Sequence, residues 1–226
     1  MSSSQLQTAY DMLFEQILSG ELAPGTRLVN RTISKQIGVS TIPVREAIHR
    51  LTSEGLVQHI PNAGAYVREL TRDELIQLYD YRNELEKFTI ERAIKHIDSY
   101  QLSRIEGICA QWQEIISQTE AQSQEKLSEE HNQEWVKLDL DFHKILSDAA
   151  HNTWLTRSIQ QLRLMSRIVY TKPPHIFINE AKTTLNSHQA IVDAIKAQDE
   201  SAAIQAMEVH NNNAFITAME YYEANH

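Results

Sequence analysis

The 226-residue chain has 42% hydrophobic and 23% charged residues, a formal net charge of -9 and one cysteine. It can bury a core of one or two domains and has the makeup of a soluble globular protein, and a lone Cys109 excludes an internal disulfide. No apolar run approaches the roughly 18 residues of a membrane span, and the start MSSSQLQTAYDMLFEQ has no basic or apolar leader segment, so a reducing, cytoplasmic setting is expected.

With only 6 Gly and 5 Pro and long 3.6-residue apolar periods, a mainly helical fold is predicted. Leu6, Tyr10, Leu13, Phe14, Ile17 and Leu18 make one face of a first helix that stops near Gly20. Pro24 and Gly25 mark a turn. Asn30 is the expected N-cap of a short helix with Ile33 and Ile37 inward, ended by Gly38. Ser40 caps the next helix, which tolerates Pro43 in its first turn, where the missing N–H has no helical acceptor. Val44, Ala47, Ile48 and Leu51 follow at the spacing of a buried stripe. After Gly55 the runs LVQHI and AYVRE flank PNAG, a predicted hairpin. This order, within residues 1–70, outlines a winged helix-turn-helix.

A second unit, residues 71–226, opens with Thr71 and Glu74 at capping-box spacing. Six helices are predicted, at about 74–97, 103–119, 134–149, 153–170, 180–197 and 200–223. The polar stretch QTEAQSQEKLSEEHNQ reads as a loop or a solvated helix end, and KPPH as a helix breaker.

Charge divides with the domains. Residues 1–70 hold six basic and six acidic residues, and the remainder holds 15 basic against 24 acidic. All of the excess acidity lies in the second part, so only the first is suited to nucleic acid. On the helix starting at Thr41, the stripe leaves Thr41, Arg45 and His49 on another face at i, i+4, i+8. There an Arg fork can read guanine and a Thr can meet a thymine methyl. Arg31 precedes this face and Gly64 stands at the hairpin tip; a merely solvated face is the alternative.

SGELAPGTRL followed by IGVSTIPVREAIHRLTSEGLV resembles the GntR superfamily of bacterial winged-helix regulators across residues 5–70. The resemblance implies a homodimer on palindromic double-stranded operator DNA, with Arg31, Thr41 and Arg45 at DNA-contacting positions and Gly64 as the wing glycine. The family usually has Arg where this chain has Thr41, and PNAGAYV lacks the basic residues of many wings, so an altered operator or a weaker, more salt-sensitive complex is expected.

Most of the 10 histidines, among them His59, His96, His131, His151, His175 and His226, read as loop or surface residues. Asp139 and His143 instead emerge one turn apart on one helix face, and His188 and His210 sit within apolar periodicity. Buried imidazoles need partners. Three separately hydrogen-bonded histidines satisfy that demand, and so does one divalent metal held by all four side chains. YRNELE, DLDFHKILSDAAHN and SHQAIVDAIKAQDESAAIQAMEVH resemble the FCD effector domain of the FadR-type branch. That resemblance implies a metal on Asp139, His143, His188 and His210, Zn or Ni by ligand type, with a small organic acid as effector. It also makes Arg82 an effector contact, the plain alternative being an i, i+4 ion pair with Glu86. The function expected is a metabolite-responsive repressor. A sensor of the metal itself is the alternative, and a metalloenzyme in the Asp/His cavity a more distant one.

Overall fold

The structure, a computed structural model, describes residues 2–170 and 176–225. The KPPH breaker, His175 and His226 lie outside the described residues. Nine helices and three short strands are present among them, in two compact units. The first unit comprises residues 2–76 with 161–170 and 218–225, and the second residues 77–160 and 176–217.

In the first unit α1 (Ser2–Leu18) buries Ala9, Tyr10, Leu13 and Ile17 against the stripe of α3 (Thr41–Ser53), where Val44, Ala47 and Leu51 are wholly inaccessible. Between them α2 (Asn30–Ile37) buries Ile33. Two expected caps are corrected. Val29, not Asn30, takes the N-cap position of α2, because its carbonyl accepts the N–H groups of both Thr32 and Ile33. Ser40 does occupy the N-cap of α3, but its side chain makes no capping hydrogen bond. Gly38, at φ 75°, ends α2 in the left-handed conformation that glycine adopts without strain.

The exit from α3 is tightly determined. Leu56 N–H donates to the Leu51 carbonyl across Gly55, which sits at φ 83°, closing the helix in a Schellman-type turn. A Cβ on Gly55 would also meet Met165 Sδ at 3.1 Å, a tight contact that adds to the backbone's demand for glycine there. The hairpin follows as β2 (Val57–Ile60) and β3 (Gly64–Val67), antiparallel, with Val57 opposite Val67 and Ile60 opposite Gly64. An unanticipated strand, β1 (Arg27–Leu28), joins the free edge of β3, giving the order β1-β3-β2. The capping box at the start of α4 (Arg72–His96) forms as expected: Thr71 N–H donates to Glu74 Oε2 at 2.9 Å, and Glu74 N–H to Thr71 Oγ1 at 3.2 Å. The Thr71 N–H holds the Glu74 carboxyl below its ordinary range.

The second unit contains most of α4, then α5 (Ser99–Ala121), α6 (Glu129–Ala149), the first part of α7 (Thr153–Arg167), α8 (Ile178–Lys196) and most of α9 (Glu200–Asn225). All six expected helices are present. The polar stretch divides, its first residues ending α5 and its last opening α6, with Ser128 as the α6 cap. The start of α5 precedes the expected Ser103 because Asp98 and Gln101 form a reciprocal capping box. Trp112, Phe142, Ile90, Ile105, Ile116, Ile191 and Ile195 form the centre of a continuous core, and this core walls the site described next.

Candidate functional site

The outward side of α3 and the wing bound a groove of about 400 Å³ in the first unit. Arg31, Arg45, His49 and Gly64 line it together. Thr41 is exposed at the first residue of α3 but is not among the lining residues. Arg27, Asn30 and His59 also line the groove and had no signal in the helical pattern, because the sheet rather than α3 carries two of them. Gly64, at φ 114°, has a backbone that a residue with a side chain adopts only with strain.

In the second unit Asp139, His143, His188 and His210 come together, although 45 and 22 residues separate the histidines. One ligand atom from each lies within 4.8 Å of all the others. The i, i+4 spacing on α6 sets Asp139 and His143 side by side, α8 supplies His188 and α9 His210. The three imidazoles are 0–5% exposed. Trp112 packs on His188 with ring centroids 4.3 Å apart, and Phe142 meets it edge-on at 4.6 Å, so the site is dry on that side.

His188 and His210 are held from behind through Nδ1, and a carboxylate stands farther off behind His143. His188 Nδ1 lies 2.8 Å from the Thr184 carbonyl, which can only accept, so Nδ1 carries the hydrogen. Ser187 Oγ lies 3.1 Å from His210 Nδ1, and Glu86 Oε2 3.9 Å from His143 Nδ1. In the neutral ring His188 Nε2 is then a bare lone pair, and it points at His143 Nε2 only 3.3 Å away. Asp139 Oδ1 stands 3.6 Å from the first nitrogen and 3.7 Å from the second. His143 Nε2–H can donate to the His188 lone pair across the 3.3 Å, and a cation held by both rings and Asp139 would satisfy the same atoms. Zinc–nitrogen bonds of about 2.1 Å put tetrahedral ligands roughly 3.4 Å apart, close to these separations. Ligands fixed from behind are also the usual arrangement at metal sites. The donor set therefore fits a divalent metal.

Arg82 is buried and engaged in ion pairing beside this pocket, within electrostatic reach of Asp139. Its Nε donates to Glu86 Oε1 at 2.9 Å and its Nη2 reaches Asn211 Oδ1 at 3.3 Å, with the Arg82 and Glu86 side chains 4% and 2% exposed. The ion pair weighed from the sequence thus forms, but as a buried pair rather than the solvated one its spacing predicts. Glu86 is the neighbour that sequence reading missed as part of the site, since in YRNELE it reads as nothing more than the counterion of Arg82. Of the other histidines, His59, His96 and His151 are exposed as expected, while His131 is half-buried in the first turn of α6. Cys109 is buried, and burial with Asp193 and Glu106 nearby pushes its thiol up to about 11, so it is not a nucleophile at neutral pH.

The FCD domain matches residues 77–213, and the description "Bacterial regulatory proteins, gntR family" matches residues 5–67. The chain belongs to the GntR family and carries an FCD domain. Relatives share this organisation over most of their length. The uncharacterized HTH-type transcriptional regulator YdhC of Bacillus subtilis is 27% identical over 87% of this chain and 83% of its own. The gluconate operon transcriptional repressor of the same organism is 28% identical over 91% of this chain and 81% of its own. The solved structure of Escherichia coli McbR/YncC superposes with a TM-score of 0.75, covering 96% of this chain and 98% of that one at 21% identity, which shows a shared fold. As a GntR-family protein the chain is a transcriptional regulator and not an enzyme. Among the described residues no helix is long and apolar enough to cross a membrane.

Proposed function

We propose that this GntR-family regulator is an operator-binding repressor, active as a homodimer in the cytoplasm, whose DNA affinity is set by a small carboxylate bound beside a divalent metal. Residues 1–70 read DNA, with Arg31 and Arg45 donating to bases or phosphates, Thr41 and His49 contacting base edges and Gly64 letting the wing backbone approach. Residues 71–226 hold the metal, Zn or Ni, through Asp139, His143, His188 and His210. The observation carrying the reading is the convergence of one ligand atom each from Asp139, His143, His188 and His210 within 4.8 Å, in a chain whose other unit presents a cation-lined groove. The metal would supply a Lewis-acid anchor for an anionic ligand. Outer contacts from Thr184 and Ser187 orient the His188 and His210 rings, and Trp112 and Phe142 pack on His188. Repressor action is supported by the gluconate operon repressor and by the Escherichia coli repressor RspR, 27% identical over 89% of this chain.

The test begins by selecting duplexes from a random library with the full chain. Affinity for the selected duplex is then measured with a panel of small organic acids, before and after chelation. An acid that weakens DNA binding must itself bind more weakly when the duplex is present, by the same factor. Failure to enrich any duplex overturns the DNA reading. A DNA affinity unmoved by every acid and by chelation overturns the effector reading. A response to metal concentration alone makes the protein a metal sensor instead.

A further inference from the structure

The wing tip, Pro61 to Gly64, contains no cation, which by itself predicts a weak hold on the DNA backbone. The sheet topology supplies one from elsewhere. β1 lies beside β3 with Arg27 opposite Tyr66, so Arg27 and Gly64 are diagonal neighbours on one face of the sheet. The atoms nearest to where a Gly64 side chain would begin are Arg27 Nε, at 3.6 Å, and Nη2, at 3.7 Å. The guanidinium therefore lies over the tip of the wing, and the glycine beneath it has no side chain to cover it.

The pattern of ion pairing marks the same residue. Arg50 is tied to Glu54 at 3.1 Å and stacks on the Tyr10 ring, and Arg68 is tied to Glu74 at 3.1 Å. Among the described residues no ion pair or hydrogen bond engages the guanidinium of Arg27, Arg31 or Arg45, the three arginines that line the groove. Arg50, Arg68 and Arg72 of this unit have counterions, and the arginines on this surface are left to an outside anion.

We infer that Arg27 is a DNA-backbone contact, a phosphate clamp delivered by β1 to the wing tip in place of the basic residues that the tip lacks. The inference rests on the DNA-binding reading above. Arg27 reaches out from the strand edge, whereas Arg45 stands on the helix face that enters the major groove. Arg27 accordingly adds affinity without reading sequence. Its position also explains β1 itself, since two residues of pairing with β3 suffice to fix where the guanidinium emerges.

Binding of the full-length protein to a selected duplex and to a random-sequence duplex is measured by fluorescence anisotropy across a salt series. One phosphate contact contributes a slope of about 0.9 in log K against log salt, equivalent to roughly a fivefold affinity at 0.15 M salt. Arg27→Ala is expected to weaken both duplexes alike by about that factor and to flatten the slope by about 0.9, while Arg27→Lys retains the slope. Arg45→Ala, measured alongside, should instead erode the preference for the selected duplex. An unchanged slope in Arg27→Ala overturns the inference, and so does a loss confined to the selected duplex. A wild-type chain that prefers no duplex would refute the DNA reading instead, so the two failures are distinguishable. Because Arg27 is exposed, an unaltered thermal melt of Arg27→Ala establishes that the fold is retained.

Discussion

Severing the pair between Arg82 and Glu86 tests what the buried guanidinium does. The two side chains meet at 2.9 Å with 4% and 2% exposure, and Asn211 Oδ1 accepts a further bond at 3.3 Å. Removing one member of such a pair leaves the other charge desolvated and costs about 3–5 kcal/mol. Arg82→Met and Glu86→Leu are each expected to lower stability by that amount. The double variant removes both charges and fills much of the space with hydrocarbon, so it should lie within about 1–2 kcal/mol of wild type. The cycle then shows a coupling of at least about 4 kcal/mol. The assay is urea unfolding followed by circular dichroism and tryptophan fluorescence, with coincident transitions required before any free energy is assigned. Single variants that each cost under about 1 kcal/mol, or costs that simply add in the double variant, would refute the reasoning. Arg82 would then be held for something other than Glu86, and an effector carboxylate would become its principal partner.

Metal removal should be as visible in stability as in regulation: a metal at 100 times its Kd adds about 2.7 kcal/mol, so chelation should lower Tm, and Asp139→Ala should melt at the chelated temperature whether or not metal is added. If chelation leaves the wild-type Tm unchanged, the Asp/His cluster holds no stabilising ion. Thr41→Arg restores the family's usual cation at an exposed position and should tighten DNA binding or change the duplexes selected; no effect on either would mean that residue 41 does not face DNA. Native Cys109 should resist a thiol reagent at pH 8 and react after denaturation, while rapid modification of the folded chain would contradict its burial. Its ordinary value of 9.0 is raised to about 11, so between those pH values the unfolded chain releases a proton that the native chain keeps, and stability should fall as pH rises. A Cys109→Ser variant that loses the same stability across that window would assign the slope to other groups.

Strong periodicity and strong punctuation made much of this fold legible. The Val44, Ala47, Ile48 and Leu51 stripe fixed both the buried side of α3 and, by difference, its outer face. Gly38 and Gly55 marked helix ends because left-handed backbone has few other occupants. β1 was not legible, because two residues cannot express an alternation and its existence depends on β3 finding it. The Val29 cap was hidden for a related reason: it acts through its backbone carbonyl, which carries no residue signature. For the candidate site, helical spacing justified pairing Asp139 with His143, but only the resemblance to the FCD domain predicted that His188 and His210 join them. The role of Glu86 behind His143 lay beyond both, since it depends on α4 packing next to α6.

The aromatic wall around His188 has a use beyond excluding water. Trp112 rests against a ligating ring at 4.3 Å, Trp135 packs next to it at 5.4 Å, and Trp154 stands 78% exposed. The chain thus carries a blue-emitting reporter at the heart of its second unit and a red-emitting reference at its surface. If the proposed centre binds metal, an ion with unpaired electrons, such as Ni²⁺, would quench the first and spare the second. Occupancy of the centre can thus be followed by intrinsic fluorescence, without labelling the protein.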